Sequence, residues 1–395
     1  MKLYVFNPDS DMALAHNDEN YMAPASIRQM EQDLALLPIW YAQPGSGVLA
    51  PSAYNDNYLK ELQCMFSLPV CLVTEPELVG NVEMQVLPWG WNLSIRKRLL
   101  KGGVPERKLP TIERLAEYRK LSSREMAYEV LNTFDCEETE GCCGQSYYLP
   151  FLSSCKDFVE RKEACVLKAP WSGSGKGLNW CQGLFTKSIK GWCEHIIKEQ
   201  NGVFGEALYN KIEDFAMEFY SAGRGEVLFT GYSLFTTNHS GAYSGNILLP
   251  SESIEKRIEK YVPLYILIRI RERLSQMLTE IYSFSYVGYL GVDMMVCLLP
   301  DNRYAIHPCV EINMRMNMGV VSCLFYENFM ASESTGRFLI EYYPTNKELM
   351  EKHRSDTEAY PLMVKEGRLV SGYLPLVPVT PQSSYRAYVR ADLFE

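Results

Sequence analysis

The chain has 395 residues, 47% of them hydrophobic and 22% charged, a composition that fits a folded globular protein and excludes a disordered or fibrous one. That length exceeds what one core usually organises, so two or three domains are expected. With 48 Asp and Glu against 39 Lys and Arg, the formal net charge is -9; this excludes a protein that grips nucleic acid through its overall field, while a local basic pocket for phosphates stays open.

Twelve cysteines without regular spacing read as buried small hydrophobes in a reducing compartment. Around Cys136, Cys142 and Cys143 there is no CxxC pair, and adjacent cysteines share a tetrahedral site poorly, so a flexible loop is expected there in preference to zinc. The N-terminal MKLYVFNP enters a strand at once, without a leader pattern. The most apolar window, Tyr261 to Ile270, is broken by Pro263 and Arg269 and falls short of the ~20 residues of a membrane span. A cytoplasmic protein is expected, with neither membrane nor nucleic acid as partner.

In chain order, Lys2 to Phe6 is an apolar run expected to form the first strand, followed by a polar loop holding Asp9, Asp11, His16, Asn17 and Asp18. Such loops often contact ligands, although capping and turning the chain is their commoner duty. Helical spacing runs from Ser26 to Leu37. Ile39 to Tyr41, Val48-Leu49 and Val70 to Val73 are expected as short strands, and strands alternating with helices predict a parallel sheet. Gly45 and Gly47 make no GxGxxG fingerprint. From Pro88 the chain is helix-rich, with Arg96, Lys97, Arg98 and Lys101 forming a basic face for which solvent is the default partner. Gly102-Gly103 ends one helix, and Ser122 or Ser123 caps another running to about Phe134.

Beyond Pro150 a β-rich run ending in Lys168 leads into Ser172, Gly173, Ser174, Gly175, Lys176 and Gly177. Small residues with free backbone N–H groups can close over a phosphate chain, and a lysine on the adjoining strand adds compact positive charge. This is not a Walker A loop, because Pro170 stands where that motif needs glycine and Gly177 where it needs Ser or Thr. The kinase loop fails too, since its GxGxxG spacing and the HRD and DFG runs are missing. Val203 to Tyr220 predicts two strands around Asn210-Lys211, with Glu206 ending the first and Asp214 and Glu218 on one face of the second. Thr230 to Leu248 is polar and glycine-rich, either plain loop or a substrate-site lining. Ser253 to Tyr282 is amphipathic and helical, broken at Pro263, and His307 reads as an ordinary polar or core position.

The most informative stretch is Tyr289 to Asn313, with Arg315 just beyond. Two apolar runs flank Pro300-Asp301-Asn302-Arg303, which predicts a β-hairpin. Pairing symmetric about Asn302 sets Asp293 opposite Glu311, with Asn313 on the same side as Glu311. Like charges directly opposite each other destabilise a sheet, so the pair asks for a divalent cation with oxygen ligands; the plainer reading is a solvated edge hairpin. Residues 373–394 read as one or two further strands.

In order and spacing, Lys168, the glycine loop, Glu206, Asp214, Asp293 and the E-x-N-x-R run of Glu311, Asn313 and Arg315 resemble the ATP-grasp superfamily over about residues 120 to 320. The resemblance implies an N-terminal parallel-sheet α/β domain (1–118) followed by a two-subdomain α+β ATP-grasp fold (119–205 and 206–345). A C-terminal extension (346–395) then completes the fold or mediates self-association as a homodimer. It implies ATP and magnesium, with manganese as an alternative ion, and small-molecule carboxylate and amine substrates. Residue by residue, it implies that Lys168 contacts the α- and β-phosphates and that Ser172 to Gly177 cover them. Glu206 to Leu208 would form the adenine hinge and Asp214 would lie near the ribose. Asp293, Glu311 and Asn313 would bind the metal, and Arg315 would face the γ-phosphate or an acyl phosphate. The DK pair usual at the start of the grasp is replaced by Ser122-Ser123-Arg124, so Arg124 or Lys120 takes that basic role. The implied activity is an ATP-dependent carboxylate–amine ligase; a non-catalytic nucleotide-binding or regulatory protein and a kinase on the same fold are the alternatives.

Overall fold

The computed structural model describes residues 1–79, 83–136, 138–173, 177–237 and 243–393, and the strands among them fall into three sheets. The first is parallel: β1 (Lys2–Val5), β2 (Gly47–Leu49), β3 (Cys71–Val73) and β4 (Gln85–Pro88) lie in the order β3-β2-β1-β4. Leu3, Val5, Val48 and Val86 are all buried, as expected of a parallel sheet covered on both faces. Its helices are α1 (Ser10–His16), α2 (Ala25–Asp33), α3 (Asn55–Gln63) and α4 (Leu93–Lys101). The chain winds outward from β1 to β3 and then crosses to the other side of β1, so a topological switch point lies between β1 and β4.

Three expectations about this region are corrected. Residues 10–16 form α1 and not a loop, because Met12 to Ala15 are good helix formers that bury Ala13 and Leu14 under an acidic first turn. Helix α2 stops at Asp33. Ile39 to Tyr41 is not a strand: Leu37–Trp40 is a buried 3-10 turn. Pro38 removes one amide donor there, and the Trp40 Nε1–H donates to Leu376 O at 2.7 Å. The basic face of α4 is ion-paired, with Arg96 on Glu106, Lys97 on Glu19 and Arg98 on Glu31 and Glu75.

Helices α5 (Ile112–Leu121) and α6 (Arg124–Phe134) lead into the second sheet; the Ser123 Oγ caps α6 by accepting from Glu125 N–H at 3.1 Å. This antiparallel sheet comprises β5 (Ser146–Leu149), β6 (Cys165–Lys168), β7 (Leu178–Cys181) and β8 (Val203–Ala207), in the order β5-β8-β6-β7. Helices α7 (Leu152–Arg161) and α8 (Lys187–Gln200) supply apolar residues to its core. Cys136, Cys142 and Cys143 are buried and not part of a free loop. They cover a hairpin of the third sheet, where Cys143 packs with Cys297 and Ala305 and donates its N–H to Ile306 O at 2.9 Å.

The third sheet contains β9 (Asn210–Ala222), β10 (Val227–Thr237), β11 (Tyr243–Leu248), β12 (Val287–Leu298), β13 (Tyr304–Asn313) and β14 (Ser334–Tyr342). It is completed by β15 (Met363–Lys365), β16 (Arg368–Pro375) and β17 (Tyr385–Leu393). The order is β13-β12-β9-β10-β11-β14-β17-β16-β15. The polar stretch from Thr230 is therefore mostly strand, because buried Tyr232 and Leu234 face the core along the β9 edge; residues 238–242 lie outside the described residues. Helices α9 (Ser251–Glu259) and α10 (Leu264–Tyr282) part at Pro263 as expected, and α11 (Met318–Phe329) and α12 (Asn346–Ala359) follow. The C-terminal stretch closes the sheet, with β17 paired along the whole of β14. One core joins the first sheet to α11 and the C-terminal strands. At its centre Trp40 meets Phe66, Phe325 and Phe329 edge-on, with ring centroids 5.4, 5.3 and 5.1 Å away; each such pair adds about 0.5–1.5 kcal/mol beyond its buried area. Among the described residues, no helix is long and apolar enough to cross a membrane.

Candidate functional site

The β12–β13 hairpin positions the site. Near the turn its partners are Leu298 and Tyr304, Cys297 and Ala305, Val296 and Ile306, Met295 and His307, a register centred on Asp301 and not on Asn302. The register then shifts, and Asp293 meets Glu311 as the alternation requires. The extra residues on β13 include Pro308, which has no amide to donate, so the ladder is interrupted at little cost. A bulge thus aims two acids at one another.

Asp293 is held well above the ordinary carboxylate range, first by burial and then by the Glu311 and Glu218 carboxylates. The Asn313 Nδ2 donates to Asp293 Oδ2 at 3.0 Å, and Arg315 Nη2 donates to Asn313 Oδ1 at 2.9 Å. Arg315 also grips Asp11, through Nε at 2.9 Å and Nη2 at 2.6 Å. Burial opposes its charge, but Asp11, Glu311 and Asp293 more than restore it. Arg124 ties the base of the glycine loop to the same place: its Nη1 donates to Ala169 O at 2.6 Å and Ser172 Oγ at 2.7 Å, and its Nη2 to Glu311 Oε1 at 2.9 Å. A Cβ on Gly177 would collide with Ser172, and one on Gly173 would press on Asp11 at 3.3 Å. Ser174, Gly175 and Lys176 lie outside the described residues.

The other end is built on the second sheet. The Lys168 Nζ donates to Glu206 Oε2 at 2.6 Å and to Val310 O at 3.3 Å, with both charged side chains buried. This pair therefore touches the bulge of β13 directly. His307 lies beside it, its Nε2 3.9 Å from Glu206 Oε2. Burial lowers its pKa to about 4, and neither ring nitrogen has a hydrogen-bond partner among the described residues. Leu208 is half-exposed, and its N–H is already committed to Ala164 O at 3.1 Å. Asp214 accepts from Thr237 Oγ1 at 2.9 Å and pairs with Lys211. Lys168, Glu206, Arg124, Ser172, Asp293, Glu311, Asn313 and Arg315 thus form one linked set; Asp214 and Leu208 are outside these contacts.

Two carboxylates and an amide make a hard oxygen donor set suited to a divalent cation such as magnesium. No group of three or more His, Cys, Asp or Glu side chains suited to a metal occurs among the described residues, so the amide is needed to complete it. The crevice beside Asp11, Ser172, Glu311 and Asn313 measures only about 20 Å³, room for little more than one water.

Two polar residues take their roles from partners distant in sequence. Asp11 was visible as a polar residue, but its partner Arg315 lies 304 positions away. Glu218 was placed on the Asp214 face, yet its setting depends on distant glycines: a Cβ on Gly291 or Gly319 would collide with its carboxyl. Ser233 Oγ donates to it at 2.8 Å and Asn317 Nδ2 at 3.0 Å, while Asn317 Oδ1 caps α11 by accepting from Val320 N–H at 2.9 Å. Burial pushes the Glu218 pKa from 4.5 up to about 7. The folded state then favours the protonated acid, so its contribution is complete below pH 4.5 and is lost as pH rises to about 7. Glu218→Gln, which stays neutral, is expected to match the parent near pH 4. By pH 8, without nucleotide or metal, it should be more stable by up to about 3 kcal/mol. Urea melts at the two pH values check this; a difference independent of pH would refute it.

The parallel entry sheet, the small antiparallel sheet and the large sheet carrying the acid hairpin together form an ATP-grasp fold. Solved structures sharing it include the biotin carboxylase domain dimer of the 2-oxoglutarate carboxylase from Hydrogenobacter thermophilus, in complex with MgADP, ADP and bicarbonate. It is 11% identical, with a TM-score of 0.51 over 100% of this chain and 86% of that one. Biotin carboxylase from Campylobacter jejuni, solved as a β-γ-ATP complex, is 12% identical, with a TM-score of 0.50 over 99% and 87% of the two chains. No family model and no curated protein matches the sequence.

Proposed function

We propose that the chain is an ATP-dependent ligase that activates a substrate carboxylate as an acyl phosphate and joins it to an amine, releasing ADP and phosphate. The observation that carries this is the facing of Asp293 and Glu311, with the Asn313 amide against them. Arg124 on Glu311 and the Asn313 amide on Asp293 offset part of that repulsion, and a divalent cation between the two acids would offset the rest. Asp293, Glu311 and Asn313 would hold magnesium, which supplies positive charge against the phosphate oxygens during transfer. Lys168 is set for the α- and β-phosphates, Arg315 for the γ-phosphate and then the acyl phosphate, and Arg124 for the base of the covering loop. A carboxylate oxygen attacks the γ-phosphorus as its bond to ADP breaks. Catalysis is positioning plus charge compensation, so no side-chain nucleophile is required. The neighbour solved with MgADP and bicarbonate supports this reading of the same fold.

The test is product analysis over a panel of carboxylate and amine pairs with MgATP. ADP and inorganic phosphate are expected only when both partners are present. A phosphorylated carboxylate that persists with amine present would make the protein a kinase, and absence of turnover across the panel a nucleotide binder.

A further inference from the structure

At the carboxyl ends of β1, β2 and β3 lie two hollows of about 530 and 460 Å³, both walled by Leu49, Glu75 and Arg98. Each is in the size range of small-molecule sites, and they lie beside the switch point where open α/β sheets bind ligands. Arg98 divides them: its guanidinium pairs with Glu31 and, at 2.9 Å, with Glu75. Because Arg98 takes both acids, Arg28, one turn before Glu31 on α2 and on the wall of the larger hollow, has no carboxylate partner among the described residues. Asp9 interacts electrostatically with Glu31 and Arg98 but has no cation within hydrogen-bond distance among the described residues; burial, then Glu31, raises its pKa to about 6. The floor is apolar, with Phe6, Leu49 and Ala50. Two residues after Asp9, Asp11 holds Arg315. The N-cap of α1 therefore lies between the charges of Glu31 and Arg98 on one side and the Arg315 ion pair on the other.

We propose that the cleft takes the amine substrate as a zwitterion, an amino acid or short peptide, with its carboxylate on Arg28 and its ammonium on Glu31, where the nearby Asp9 adds negative potential. This rests on the ligase reading given above. A phosphorylated amine would bring a dianion against Asp9, Glu31 and Glu75, and an amine without a carboxylate would leave Arg28 unmatched. In ligation the ammonium loses one proton to water, and the neutral amine forms the C–N bond at the acyl carbon as the C–O bond to phosphate breaks. The amine's second proton goes to the departing phosphate.

Calorimetric titration of the full chain, without nucleotide, against the twenty L-amino acids, alanyl dipeptides, and their N-acetyl and C-amide derivatives tests this. At least one zwitterion should bind, and capping either end should weaken it tenfold or more. Arg28→Ala should remove the preference for a free carboxylate, and Glu31→Gln that for a free ammonium, with MgATP binding unchanged in both. Binding of no zwitterion, or equal binding of capped and free forms, overturns the proposal. A zwitterion that binds as described but supports no ADP release with any carboxylate overturns the ligase reading and leaves the cleft assignment standing.

Discussion

Replacing Asp293 with asparagine, or Glu311 with glutamine, is expected to cut ATP turnover by about a thousandfold, and the Asp293 change is expected to make the protein without nucleotide or metal more resistant to heat. The two effects have one cause. The carboxylates face each other across the β12–β13 ladder, and in the absence of a cation that arrangement costs stability. Neutralising Asp293 relieves the repulsion, whereas a glutamine at 311 also gives up the ion pair with the buried Arg124, now 2.9 Å away, so a gain in stability is expected of the Asp293 variant alone. Turnover falls because the charge opposing the phosphate oxygens is no longer held in place, and losing one such preorganised element costs about 10²–10³ in rate. Turnover and melting temperature measured on one preparation separate this from simple damage. A variant with full turnover removes the hairpin from the chemistry, and an Asp293→Asn protein that loses both activity and stability makes its role structural.

The second large effect concerns stability and shares no residue with the site. Arg386 is completely buried and forms ion pairs at 2.7 Å with both Glu341 and Asp356. It also donates to Tyr343 at 3.1 Å and Tyr373 at 3.3 Å and lies 4.4 Å from the ring centre of Tyr388. Methionine at 386 fills much of the volume but leaves Glu341 without a cation and Asp356 with Lys352 alone. Removing one partner of a buried network costs about 3–5 kcal/mol, which urea unfolding would show directly. Adding Glu341→Gln and Asp356→Asn to that variant should recover part of the loss, since the uncompensated charges are what destabilise it. A loss under 1 kcal/mol from Arg386→Met would mean that solvent reaches these acids.

What could be read in the sequence was local. Alternation in β12 and β13 predicts the Asp293–Glu311 pairing; the turn itself centres on Asp301, one residue before Asn302, and the bulge at Pro308 restores the register. Helix caps at Ser123 and the break at Pro263 followed from side-chain chemistry on the spot. The failures lay where tertiary context decides. A polar run around Asp9 and Asp11 hid a short helix, since four small or apolar residues within it suffice once a core is available. Ile39 to Tyr41 looks like a strand until Leu376, more than 300 positions on, supplies the acceptor for Trp40. Glu218 could not be recognised as a buried acid without knowing that Gly291 and Gly319 make room for it.

The position of β17 has a consequence for biosynthesis. This strand lies inside the large sheet, between β14 and β16, and Val389 and Ala391 share a core with Phe6, Trp40 and Val320. A ribosome has therefore made the lysine strand, the acid hairpin and Arg315 well before the chain can seal the sheet that supports them. Domains often fold as they emerge, first to last, but here the earliest residues wait for Tyr385–Leu393. A nascent chain stalled before that segment should expose the aromatic cluster around Trp40 to chaperones, and it should not yet hold nucleotide.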